Sequence, residues 1–134
     1  MSGILLDTSV VITGIDPADE ADQRAAISVI TLGELRAGVL LARDPAIRAE
    51  RQARLAAIHS AFMPLSVDEP VTERYAEILA AARQQGRTTK ATDLLIIATA
   101  AATGRALWTR DLRQARLAQA SEIAVRAEWP GGGA

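Results

Sequence analysis

The sequence predicts an α/β fold of three layers, helices covering both faces of a central parallel sheet of about five strands. Two observations carry this. Short apolar runs alternate along the chain with longer stretches of helical periodicity, the pattern of repeated strand–helix units. The chain has 134 residues, 49% apolar and 23% charged, enough for one core, and shows neither internal repeat nor interdomain linker. Residues 1–128 therefore read as one domain. Residues 129–134, with Trp129-Pro130 and a glycine-rich end, read as a flexible tail.

The first strand is Ile4-Leu5-Leu6, an apolar run stopped by Asp7-Thr8-Ser9. Residues 13–24 carry Gly14, Pro17 and several acids and read as loop with at most a short helix. Ile27 to Ile30 is the second strand, and a helix follows from Thr31 to about Arg43. Asp44-Pro45 breaks it, and an Ala- and Arg-rich helix runs over 46–60. Phe62 to Ser66 is the third strand. Pro64 within it cannot donate to a ladder, which places that strand at an edge.

Asp68-Glu69-Pro70 opens the next helix, with Pro in its first turn. Val71, Tyr75, Ile78, Leu79 and Ala82 then recur at helical spacing, and Gln85-Gly86 closes it. After the polar loop Arg87 to Lys90, a helix from about Thr92 to Thr103 is apolar nearly all round and should be buried. Ala106 to Thr109 is the fourth strand. A short helix from Asp111 to Ala118 and a strand near Ile123 to Val125 complete the fold.

Composition excludes several chemistries. There is no Cys, so disulfides, thiolate metal sites and thiol nucleophiles are absent. A single His, His59, argues against a His-rich metal site or a Ser-His-Asp triad. No stretch approaches the roughly 20 apolar residues of a membrane span. The N-terminus lacks signal-peptide features, so a cytoplasmic protein with no membrane partner is expected. The net charge of −1 gives no global attraction to nucleic acid. The positive charge is nearly all Arg, with Lys90 the only Lys, and Arg is suited to bidentate phosphate contacts.

The chemistry lies in the acids. In parallel sheets, functional groups gather at the carboxyl ends of strands. Asp7 ends the first strand, Glu34 lies in the first turn after the second, Asp93 starts the buried helix, and Asp111 follows the fourth strand. If the first and fourth strands are neighbours, Asp7 and Asp111 meet at the crevice, with Glu34 and Asp93 on either side. Clustered carboxylates repel and raise one another's pKa unless a cation neutralises them. Oxygen ligands without His or Cys select magnesium or manganese.

Each acid also has a plain structural reading. Asp7-Thr8-Ser9 can end a strand and start a turn. Thr31-Leu32-Gly33-Glu34 can form a capping box with Thr31 as N-cap. Asp93 and Asp111 can cap their helices. It is the conjunction of four acids on one sheet edge that points to a metal site.

Ile4 to Ile12 (ILLDTSVVI) resembles the opening motif of PIN-domain proteins. Ile30 to Val39 (ITLGELRAGV) resembles their second motif, Ala91 to Ala100 (ATDLLIIATA) their third, and Leu107 to Asp111 (LWTRD) their fourth. The similarity runs from Ile4 to about Val125, in the order and length of VapC toxins. It implies a PIN-like fold and a metal-dependent endoribonuclease of a toxin–antitoxin pair, cleaving RNA such as tRNA or rRNA. It implies a homodimer inhibited by a VapB-type antitoxin. It assigns Asp7, Glu34, Asp93 and Asp111 to Mg2+ or Mn2+ and to catalysis, with Thr8, Ser9 and Thr109 in support. One departure stands out: the family's second Asp followed by Phe is replaced by Leu112-Arg113-Gln114-Ala115-Arg116, leaving Asp111 alone in that motif.

Arg87, Lys90, Arg110 and Arg113 lie nearest the acids in sequence and are the candidates for positioning RNA phosphates. Arg43, Arg48, Arg51 and Arg54 read as a solvated face pairing with Glu50, or as contacts to phosphate or antitoxin acids. Asp16, Asp19, Glu20 and Asp22 lack the pattern of a calcium loop and read as solvated. Trp108 reads as core. Two other functions remain: a non-catalytic PIN module for dimerisation or binding, and an aspartyl phosphotransferase or receiver. The latter lacks its second Asp, since Ser9 stands two residues after Asp7, and Lys90 is misplaced for a receiver.

Overall fold

The computed structural model describes residues 3–14 and 24–127. The elements in chain order are β1 (Ile4–Leu6), α1 (Thr8–Thr13), β2 (Ala25–Ser28), α2 (Val29–Leu41), α3 (Pro45–Ala61), β3 (Met63–Leu65), α4 (Glu69–Gln84), α5 (Ala91–Ala102), β4 (Ala106–Thr109), α6 (Leu112–Ala120) and β5 (Val125–Ala127). The acids Asp16, Asp19, Glu20 and Asp22, and the tail 129–134, lie outside the described residues.

The five strands run in the order β3-β2-β1-β4-β5, and every pairing is parallel. β1 is therefore central, with β2 on one side and β4 on the other. Leu6 is level with Ile27 and Trp108 in the two registers, so the carboxyl ends of these three strands share one edge. The chain reverses its direction of winding between β1 and β4, and the crevice at such a point is where ligands collect in open α/β sheets. Asp7 stands there. Pro64 lies in β3, at the sheet edge, as its missing N–H requires.

Alternation of side chains along the strands builds the three layers. Leu5, Ala26 and Leu107 point to one face, packed with Val71 and Ile78 of α4, Leu94 and Ile97 of α5, and Leu117 of α6. Leu6, Ile27 and Trp108 point to the other, packed with Val10 and Val11 of α1, Leu32 and Val39 of α2, and Leu55 and Ile58 of α3. Trp108 is 2% exposed and belongs to the core.

Local signals explain most element ends. The Asp44 carboxylate accepts from Ala46 N, with Pro45 in the first turn of α3. The Asp68 carboxylate accepts from Val71 N at the start of α4. Gly86 and Gly104 adopt φ of +70° and +65° past the ends of α4 and α5, a conformation open to residues without Cβ.

Helix α1 is an element that the strand-end reading of Asp7-Thr8-Ser9 did not anticipate, and several boundaries shift by one or two residues. β2 ends at Ser28 and α2 starts at Val29, two residues ahead of the expected start at Thr31. The cause is Ser28, whose hydroxyl accepts from Ile30 N at 3.0 Å and caps the helix. The capping box is thus not formed: Thr31 is an interior, fully buried residue of α2. β5 begins at Val125, two residues later than expected, because Ser121, Glu122 and Ile123 still turn back onto α6 through their backbone N–H groups.

Candidate active site

The geometry of β1 and β4 delivers Asp7. Its backbone N donates to Trp108 O at 2.8 Å, continuing the ladder beyond β1. The residue is 5% exposed, and its Oδ2 accepts from Thr109 Oγ1 at 2.7 Å and Ser9 Oγ at 2.8 Å. Burial pushes the Asp7 carboxyl above its ordinary value of 3.8. The Thr109 and Ser9 hydroxyls pull it back, and the Asp93 carboxylate pushes it up again. A buried carboxylate with a raised pKa at a sheet switch point is chemically unusual and costly as pure architecture.

The same hydroxyls organise the next residues. Ser9 Oγ also accepts from Arg110 N, and Thr109 Oγ1 from Asp111 N, both at 3.0 Å. The turn after β4 is thereby pinned to the turn after β1. Thr8 serves the other side: its hydroxyl donates to Glu34 Oε1 at 2.7 Å and lies 3.0 Å from the hydroxyl of buried Thr31. The three residues expected to support the site, Thr8, Ser9 and Thr109, all bond to one of its acids.

Asp93 sits in the first turn of α5, half-buried. Burial raises its pKa first, and the Glu34 carboxylate next. Lys90 and Arg113 lower it, while Asp111 raises it. Asp93 thus feels the charge of both neighbours, and Asp7 feels the charge of Asp93. The buried Gln114, absent from the sequence expectations, donates from Nε2 to Asp93 O at 3.0 Å and joins α6 to the start of α5.

Asp111 takes its capping reading rather than a place in the crevice. It is the N-cap of α6, its Oδ1 accepting from Arg113 N at 2.9 Å and Gln114 N at 3.3 Å, and it is solvent-exposed. The residue that reaches Asp7 from this strand is Thr109, whereas the sequence placed Asp111 there. Among the described residues, no three acidic side chains are gathered closely enough to hold one ion between them as they stand. The reason is visible in their partners: Glu34 is turned to Thr8, Asp7 to Ser9 and Thr109, and Asp111 to its own helix. Each of these carboxylates has found its own donors, the low-energy arrangement for mutually repelling groups.

The donor set nonetheless suits a hard divalent cation. It is all oxygen, and two of its members are held against their preferred ionisation by burial and by neighbouring charge. By that chemistry, Asp7, Glu34 and Asp93 are the residues that could serve as its ligands once their side chains turn toward one ion.

Two clefts flank this centre. One, of about 500 Å³, is lined by Asp93, Asp111 and Gln114 together with Arg87, Thr88, Thr89, Lys90, Arg113 and Arg116. Three of the four expected phosphate contacts, Arg87, Lys90 and Arg113, therefore share a wall with two of the acids. Arg116, one helical turn beyond Arg113, joins them; that spacing was its only signal in the sequence. Arg110 does not line this cleft. Its guanidinium bonds to Thr13 Oγ1 and Gly14 O and lies 5.7 Å from the Trp108 ring centroid.

The second cleft, of about 550 Å³, is lined by Ile12, Glu34, Leu35, Gly38, Ile47, Glu50, Arg51 and Arg54. The arginines of α3 are solvent-exposed as expected, but among the described residues none forms an ion pair with Glu50. Arg48 donates to Val39 O and Leu40 O, Arg51 to Gly38 O, and Arg54 to Val11 O and Ile12 O. They bond to carbonyls in the last turns of α2 and α1, where a positive charge also complements the helix dipole.

Proteins of similar sequence and fold show the family of this chain. A family model described as PIN domain matches residues 4–120. The chain is 37% identical over 125 residues to Ribonuclease VapC4 of Mycobacterium tuberculosis, covering 90% of this chain and 95% of that protein. It is 43% identical over 100 residues to Ribonuclease VapC8 of the same species, covering 72% and 88%. Among solved structures it is similar to the VapBC-5 toxin–antitoxin structure of M. tuberculosis, with a TM-score of 0.78, 34% identity, and coverage of 95% of this chain and 98% of that one. VapBC2 of Rickettsia felis, bound to promoter DNA, shares the fold with a TM-score of 0.78 at 22% identity, covering 92% and 97%.

Proposed function

The chain belongs to the PIN-domain family, and from that premise we propose that it is a metal-dependent endoribonuclease toxin of the VapC type, acting in the cytoplasm. The carrying observation is Asp7, buried at the sheet switch point with a raised pKa and coupled to Asp93. The relatives named as ribonucleases support the activity, since they match across most of this chain.

Asp7, Glu34 and Asp93 are the proposed ligands of Mg2+ or Mn2+, with Asp111 as an outer member held by its helix. When bound, the cation supplies charge neutralisation at the attacked phosphate and makes water more acidic. The chain's own groups do the rest. Ser9 and Thr109 both donate to Oδ2 of Asp7 and so fix the orientation of its carboxylate. Thr8 orients Glu34. Gln114 fixes the first turn that carries Asp93. Arg87, Lys90, Arg113 and Arg116 seat the RNA backbone beside the acids, holding the scissile phosphate where hydrolysis occurs. The expected substrates are tRNA or rRNA, presented as a single-stranded loop.

A VapB-type antitoxin is the proposed inhibitor and a homodimer the proposed assembly. Solved relatives in complex with antitoxins support the partner. Among the described residues, no helix is long and apolar enough to cross a membrane. Induced expression in a bacterium tests the function. Wild type should arrest growth, Asp7→Asn should not, and co-expression of a cognate antitoxin should relieve the arrest. Equal arrest by both proteins would overturn the reading.

A further inference from the structure

Helix α1 is six residues long and carries the site on its first turn, since Asp7 is its N-cap and Thr8 and Ser9 begin it. So short a helix is not stable by itself, because nucleation costs more than its few hydrogen bonds return. Its N-terminal end is secured by Asp7, whose N donates to Trp108 O and whose carbonyl accepts from Val10 N at 3.0 Å. Of the carbonyls in its last turn, Val10 O accepts from Thr13 Oγ1 within the helix, while those beyond it must find a partner outside so short a helix. Arg54, on α3, supplies one: its Nη1 donates to Val11 O and Ile12 O, 43 and 42 residues away in sequence. Its charge also lies at the helix end that favours a cation.

Arg48 and Arg51 bond to carbonyls of α2. Arg54 alone of this arginine row connects α3 to the element that carries Asp7. It also lines the second cleft with Glu34, the acid that Thr8 holds. From these contacts we infer that Arg54 is a positioning residue. By holding the last turn of α1, it keeps the first turn, and with it Asp7 and Thr8, in register with β4 and α2. In this role its guanidinium acts through the backbone of α1 rather than directly on RNA or metal. The kinetic consequence of this role rests on the proposed nuclease activity; the structural consequence does not.

The test compares wild type, Arg54→Met and Arg54→Lys, by amide hydrogen exchange in metal-free buffer and by RNA cleavage kinetics. Arg54→Met should speed exchange across residues 10–13 by about tenfold, with α4 and α5 unchanged. Its kcat should fall by about tenfold with KM within about twofold of wild type, the mark of a misplaced reacting group. Arg54→Lys, which restores a cation at the helix end, should recover most of both losses. Should Arg54→Met fail to fold, Arg54→Gln carries the same readings.

A raised KM with unchanged kcat would make Arg54 an RNA contact and overturn the inference. Unchanged exchange in α1 would overturn it as well. If wild type cuts no RNA, the nuclease reading fails by itself, and the exchange experiment alone decides whether Arg54 holds α1.

Discussion

Thr109 Oγ1 donates to Asp7 Oδ2 at 2.7 Å across 102 residues of sequence. Thr109 is fully buried and also accepts from Asp111 N, so one hydroxyl binds the ends of β1 and β4 and the cap of α6. Thr109→Val preserves shape and removes the hydroxyl. It should destabilise the protein by about 1–3 kcal/mol in urea unfolding, the usual cost of leaving a charged group without its donor. Thr109→Ser should lose less than half of that.

The pH dependence has a definite sign. Burial and the neighbouring carboxylates raise Asp93 above 3.8, so the folded protein holds that proton more tightly than the unfolded chain. Stability from this group is therefore greatest below 3.8 and falls as pH rises through the raised value. Asp93→Asn removes the ionisation. It should raise Tm at pH 7, and the gain should shrink to nothing as the pH is lowered below 3.8. Thermal melts between about pH 3 and pH 7 check this.

Metal linkage reverses that order. A cation that binds only the folded state stabilises it by mass action. Millimolar Mn2+ should raise the Tm of wild type and should raise that of Asp93→Asn much less. Equal shifts would place the ion elsewhere.

The cations separate into two groups with different readouts. Lys90 and Arg113 line the cleft beside Asp93 and Asp111. Lys90→Gln or Arg113→Gln should weaken RNA binding. The slope of log affinity against log salt should become shallower by about 0.7 for each phosphate no longer neutralised. Arg110 is committed to Thr13 and Gly14. Arg110→Gln should leave the salt slope unchanged.

Much of this was legible in the sequence because the signals are local. Apolar runs and caps marked the strands and every helix except the six-residue α1, Pro64 marked the edge, and the strand ends gave the positions of Asp7 and Thr109. The rest depended on tertiary partners. Thr31 and Glu34 carry the spacing of a capping box, yet Ser28 takes the cap and Glu34 is held by Thr8 instead. Asp111 has the right position after β4 but spends its carboxylate on α6. The arginines of α3 show a clear spacing of three, but spacing cannot reveal that their acceptors are backbone carbonyls on other helices. Gln114 offered no signal at all, because its role is a bond to the backbone of a residue 21 positions away.

Whether the Asp7 centre cuts RNA is decided most directly with purified, antitoxin-free wild type and Asp7→Asn, prepared identically. Each is incubated with total bacterial RNA in Mg2+, in Mn2+ and in chelator, and the new RNA ends are mapped. Discrete cleavage by wild type that requires the metal and is absent from Asp7→Asn is the expected result. Identical cleavage by the two proteins, or none by folded wild type with bound metal, would contradict it.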